Sequence, residues 1–184
     1  MIYDNQKLHA ILIVIPAFIL LMLLCIAQVS AAEISITTTG NLNDMELKPG
    51  QTNSDTRGFL TVSCDDPFGY TIEVIDPMTG KGGNNAGKMV ETTDGTTYVT
   101  PDPKVLGSPM SVDVPDDAGY SHASKTISDS TSSGFISSAV GHQVVSDKLI
   151  TLTFSQPVSF ADTVLTAGHT YRIVVEFDAA LKTS

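Results

Sequence analysis

Beyond residue 32, apolar and polar residues alternate in short runs that turn residues separate. The clearest run is Thr170–Phe177, whose apolar members at every second position are Tyr171, Ile173, Val175 and Phe177. Because successive side chains of a strand point to opposite faces of a sheet, this spacing predicts a strand with one buried face. The pattern indicates a β protein.

Similar runs predict further strands, with glycine, proline and aspartate at the turns between them. Lys48-Pro49-Gly50 and Asp76-Pro77 predict turns, and the glycine-rich Gly80–Asn85 predicts an irregular loop. Residues 115–134 are mostly Ser, Asp, Gly and Thr, which predicts a long surface excursion with at most one short strand. The predicted strands are 34–37, 59–64, 70–74, 135–140, 143–145 and 149–154, with weaker ones at 88–91, 97–100 and 110–114. A short segment at 45–47 lies before the first turn.

Strands with one apolar face must bury that face against another layer. We therefore expect an all-β fold for residues 33–184: a single antiparallel β-sandwich of the immunoglobulin-like or Greek-key type, with about eight to ten strands.

A hydrophobic segment precedes this domain. Ala10–Val29 contains no charged residue, Lys7 lies before it, and the small residues Ser30-Ala31-Ala32 follow it. This order predicts a signal helix in a signal peptide over residues 1–32, and therefore a secreted or cell-surface protein. The alternative is an uncleaved anchor, because residues 10–29 are long enough to cross a bilayer. If the segment is not cleaved, the protein would contact the membrane through residues 10–29 only.

The chain carries 10 basic and 20 acidic side chains, a net charge of −10. Removing residues 1–32 removes one residue of each sign, Lys7 and Asp4, and leaves this charge unchanged. Such a charge disfavours nucleic acid and anionic membrane surfaces as partners. Cys64 is then the remaining cysteine, and its alternation with Leu60 and Val62 predicts a buried thiol.

Three segments carry a resemblance to known proteins. They are the Pro49-Gly50 turn, the short Gly87-Lys88-Met89 element, and the closing strand that begins at Ala167-Gly168-His169-Thr170-Tyr171. Together they resemble secreted β-sandwich proteins of archaeal and bacterial envelopes, distantly like the WxL and spore-coat-U type surface domains. The resemblance implies a fold and a cell-surface location. It does not imply peptidoglycan binding, because the chain has no tryptophan.

The sequence predicts no catalytic, cofactor-binding or metal site, and hence a protein that is not an enzyme. His122, His142 and His169 lie in no close metal-binding spacing, and we expect His169 to face solvent beside the last turn. No Gly-x-Ser-x-Gly elbow is present. The acidic groups Asp65-Asp66 and Asp113 with Asp116-Asp117 each adjoin a proline, which favours exposed turns over the alternative of a calcium site.

Two functions fit these observations. The first is an adhesion or envelope protein that binds a surface polymer or other surface proteins through its loops. The alternative is self-association into a filament or coat, in which the segment Glu33–Thr39, immediately after the predicted cleavage site, inserts into the next subunit. The competing expectation for this segment is pairing within its own sheet.

Overall fold

The computed structural model describes residues 31–38, 45–115, 119–130 and 134–183. In these residues the fold is all-β: 44% strand and no helix, with antiparallel sheets. The described residues from Ala32 onward form one compact unit. The predicted signal helix lies outside the described residues.

Eleven strands make up the described fold, more than the eight to ten expected. They are β1 (Ile34–Thr38), β2 (Gln51–Cys64), β3 (Tyr70–Ile75), β4 (Val90–Thr92), β5 (Ser111–Asp113), β6 (Tyr120–His122), β7 (Lys125–Thr126), β8 (Ile136–Ser138), β9 (Val145–Val158), β10 (Thr170–Arg172) and β11 (Glu176–Leu181).

The strands form three sheets. The largest has five strands in the order β1-β2-β9-β5-β7, the second has four in the order β11-β3-β8-β6, and β10 pairs with β4 in a small third sheet. The centre of the five-stranded sheet is the pairing of β2 with β9, two strands of 14 residues each. The segment Ile34–Thr38 pairs with Leu60–Cys64 of its own chain. This confirms the expectation that the segment pairs within its own sheet.

One hydrophobic cluster contains the inward side chains of both large sheets. Phe154 of β9 and Phe177 of β11 meet edge to face, with ring centroids 6.5 Å apart, and so join the two sheets. Cys64 lies in this cluster with 3% of its surface exposed, which confirms the predicted buried thiol. Burial of this shared apolar surface is the main force that holds the sheets together.

The closing strand shows the predicted alternation but not the predicted bounds. Tyr171, Ile173, Val175 and Phe177 all pack against the core. However, the chain pairs first with β4 and then with β3, so Thr170–Phe177 is divided between β10 and β11. The ladder of backbone hydrogen bonds is interrupted where the chain passes from one partner strand to the other.

The two central strands are much longer than their apolar runs. The prediction of 59–64 omitted the polar first half of β2, and β9 runs without interruption where 143–145 and 149–154 were predicted. Polar residues are tolerated on the inward side because they are hydrogen-bonded. Asn53, 7% exposed, accepts from the Lys48 N–H at 2.8 Å and donates to the Lys48 carbonyl at 3.1 Å.

Some weaker expectations were wrong. The excursion contains two short strands, β6 and β7, where at most one was expected, and residues 116–118 and 131–133 within it lie outside the described residues. Of the weaker strand expected at 97–100, one bridge is present, between Tyr98 and Thr92. The expected turn at Pro49-Gly50 is present, with Gly50 at a φ of +78°, a conformation that favours glycine.

Candidate functional site

The outer face of the five-stranded sheet is lined by hydroxyl groups. On β2 and β9, inward residues such as Val62 and Leu152 are fully buried, so the residues between them point away from the core. Serine and threonine dominate these outward positions. We call this surface the hydroxyl face; its members are Ser35, Thr37, Thr52, Ser54, Thr56, Thr61, Ser63, Ser111, Thr126, Thr151, Thr153 and Ser155.

The strand register arranges these hydroxyls in rows across the sheet. The longest row crosses four strands and contains Ser54, Ser155, Ser111 and Thr126, which are successive partners. The Ser54 and Ser155 hydroxyl oxygens are 2.8 Å apart, and the next row has the same distance between Thr56 and Thr153. Each hydroxyl can donate one hydrogen bond and accept two, so a paired hydroxyl keeps capacity for a ligand.

A second polar cluster lies where β10 pairs with β4. Glu91, 4% exposed, has its Oε1 2.7 Å from Nδ1 of His169, and its Oε2 accepts from the Lys104 N–H at 3.0 Å. The hydrogen bond from the Lys104 backbone and then that from His169 lower the pKa of Glu91. The expectation of a solvent-facing His169 was therefore wrong: the buried carboxylate holds its ring against the sheet, half-buried.

Loop contacts beside this cluster are structural in character. Asp94 accepts hydrogen bonds from the N–H groups of Thr96 and Thr97, at 2.8 and 2.7 Å, and these bonds lower its pKa. The Arg172 guanidinium donates to the Thr96 carbonyl at 2.7 Å and lies 5.8 Å from the Tyr98 ring centre. These contacts close the turn between residues 92 and 98 and offer no reactive pair.

A buried ion pair occupies the glycine-rich loop that follows β3. The side chains of Lys81 and Asp76 contact each other directly, and each is 1% exposed. Asp76 Oδ1 accepts from the Met78 N–H at 3.0 Å, and Oδ2 accepts from the Gly87 N–H at 2.8 Å. Gly80–Asn85 is irregular as predicted, but nothing in its sequence distinguishes the buried Lys81 from a solvated lysine.

The acidic groups considered for calcium do not converge in the described residues. Asp65 and Asp66 bind separate backbone N–H groups, those of Glu33 and Phe68, and Asp66 is buried where an exposed turn was expected. Asp113 lies 3.7 Å from Nδ1 of His122. Asp116 and Asp117 lie outside the described residues. Among those described, no three His, Cys, Asp or Glu side chains form a group that could hold a metal ion.

The remaining predicted residue, His142, is exposed in the turn after β8, and its N–H donates to the Ala139 carbonyl. The three histidines therefore lie in three different parts of the fold. Sequence reasoning missed the hydroxyl face, although the alternation of Thr151, Thr153 and Ser155 with buried residues was visible. What it lacked was the register that brings β2 and β5 beside them.

Comparison with protein-family models, with curated proteins and with solved structures found no match for this chain. No helix within the described ranges is long and apolar enough to cross a membrane.

Proposed function

We propose that this chain is a non-catalytic protein of the cell surface, exported by its N-terminal segment, whose hydroxyl face binds a neutral polysaccharide of the envelope. The proposal includes a single β-sandwich of the Greek-key type, because strands distant in sequence are neighbours and both large sheets contribute to one core. The observation that carries it is the hydroxyl face itself.

The chemistry of this face favours a polyhydroxylated ligand without charge. Rows of serine and threonine can both donate and accept hydrogen bonds, as sugar hydroxyls do. The protein has a net charge of −10, so a polyanion would be repelled. An extended polymer also suits an extended site, since β2 and β9 are each 14 residues long.

The test uses substitutions that remove hydroxyls and keep the side-chain shape. In the double variant Thr56→Val with Thr153→Val, two paired hydroxyls become methyl groups on the same backbone positions. The control variant, Thr93→Val with Thr183→Val, changes exposed threonines outside the hydroxyl face. Binding is measured by co-sedimentation with protein-free envelope polysaccharide from the producing cells.

We expect the wild type and the control to sediment with the polysaccharide and the double variant to remain in solution. Binding should also persist at high salt, because it does not depend on exposed charges. Sedimentation of the double variant equal to that of the wild type would refute the role of the hydroxyl face. A wild type that never sediments would refute the proposal as a whole.

A second candidate is a filament or coat subunit assembled by exchange of β1. The observation that favours it is the position of β1 at the edge of its sheet, where β2 is its one partner among the described strands, with Ile34 and Ile36 only partly buried. An edge strand beside the predicted cleavage site can be replaced by the same strand of another copy.

A disulfide distinguishes exchange from pairing within one chain. Ile34 is the direct partner of the free Cys64, and both face the core. The Glu33 carbonyl accepts from the Asp65 N–H, so the neighbouring pair of Ile34 and Cys64 is the closer, non-hydrogen-bonded kind. Oxidised Ile34→Cys protein should run as a ladder of linked subunits on a non-reducing gel if strands are exchanged. A disulfide-bonded monomer would exclude exchange.

A further inference from the structure

The buried pair of Lys81 and Asp76 has no part in the proposed function. Both side chains are withdrawn from water, at 1% exposure each, and touch each other directly. A buried ion pair loses hydration free energy that its attraction only partly returns. The fold therefore holds a lysine side chain in contact with a carboxyl group in a site withdrawn from water.

The neutral forms of the two groups are the ones that can react. Burial lowers the pKa of Lys81, and the hydrogen bond with Asp76 opposes this effect. Transfer of one proton from the ammonium to the carboxylate gives a nucleophilic amine and a carboxylic acid already in contact. Holding reactants together in this way replaces an encounter in solution and lowers the barrier to their reaction.

We infer that the side chains of Lys81 and Asp76 condense after folding into an intramolecular amide. The Nζ lone pair of the amine attacks Cγ of the carboxylic acid, a C–N bond forms, and one C–O bond breaks. The departing hydroxyl takes one amine hydrogen and leaves as water. The step consumes no oxidant, reductant or cofactor.

The surroundings are suited to the product as well as to the ion pair. The N–H groups of Met78 and Gly87 donate to different oxygens of the Asp76 carboxyl group. Whichever oxygen becomes the amide carbonyl therefore keeps one backbone hydrogen bond. The amide N–H has an acceptor in the Asn85 carbonyl, which lies 3.3 Å from Nζ. The bond would cross-link the loop that contains Gly80, Gly82 and Gly83 and restrict its opening.

Peptide mapping tests the bond directly. Trypsin cleaves after a free lysine but not after one whose Nζ is acylated. In the denatured wild-type protein we expect one peptide, Gly58–Lys88, lighter by one water molecule than its sequence and uncut after Lys81. Cleavage after Lys88 in the same digest is the internal control for the activity of trypsin.

Asp76→Ala provides the matched variant. Its digest requires only the chain and not a stable fold, and it should yield separate peptides ending at Lys81 and Lys88, both of full mass. Full-mass peptides cut after Lys81 in the wild type would overturn the inference. So would an uncut, lighter peptide in Asp76→Ala, because Lys81 would then be joined to another group. Neither result depends on polysaccharide binding.

Discussion

Leu149 and Leu152 are the same residue type on the same strand, but they point to opposite faces of the five-stranded sheet. Leu152 is fully buried, whereas Leu149 is 54% exposed at the hydroxyl face. Truncating each to alanine compares an inward with an outward position of β9 directly.

The expected magnitudes differ severalfold. A buried leucine truncated to alanine loses its transfer free energy and leaves a cavity, at a cost of about 2–5 kcal/mol. A substitution at an exposed position changes stability by about 0.5 kcal/mol or less. For a domain of this size, each kcal/mol lowers Tm by about 2–4 °C. Leu152→Ala should therefore lower Tm by roughly 4–20 °C, and Leu149→Ala by about 2 °C or less.

The assay is thermal unfolding followed by circular dichroism, with urea unfolding as a second measure of the free energy. The urea m-value should stay the same in both variants, so that a shift in midpoint reports stability alone. Equal losses in the two variants, or a larger loss in Leu149→Ala, would refute the assignment of faces on β9. Because a slip of one residue exchanges the faces, such a result would also refute the hydroxyl face.

Two further predictions concern a glycine and a carboxylate. In thermal unfolding, Gly87→Ala should destabilise the protein far more than Gly168→Ala. Both glycines have positive φ, but a Cβ at Gly87 would overlap the Ile127 carbonyl, whereas Gly168 faces open space. Equal effects of the two substitutions would contradict this packing. The hydrogen bonds of Glu91 lower its pKa in the folded protein. They therefore stabilise the fold at a pH above the pKa of glutamate in the unfolded chain, about 4.3. This stabilisation is lost as the pH falls through the lower pKa that Glu91 has in the folded protein. The Tm difference between wild type and Glu91→Gln should therefore be largest near neutral pH and shrink below about pH 4, and a constant difference would contradict it.

Where the alternating residues are apolar, the alternation correctly predicted which side chains face the core. Tyr171 and Phe177 face the core as expected, although the strand containing them divides between two partners. Nothing in the local sequence indicates that the chain changes its partner strand there. The first half of β2 was missed for the opposite reason: its polar residues show no hydrophobic period, and it becomes a strand because β9 lies beside it.

The candidate sites depend still more on contacts between distant residues. His169 and Glu91 are 78 positions apart, and no local pattern indicates that they meet. Lys81 is close to Asp76 in sequence, but lysine among glycines usually lies in water, and its burial follows from packing around the loop. The individual hydroxyls could be read from the sequence, whereas their arrangement in rows required the register of four strands.

The pairing of β2 with β9 has a consequence for the order in which the protein folds. Ser54 and Ser155, which meet at the centre of the sheet, are 101 residues apart, so a long stretch of chain must be closed into a loop before they can pair. Topologies of this kind fold slowly. The first hundred residues to emerge during synthesis therefore lack the strand that completes their sheet, and the chain should stay unfolded until β9 has been made.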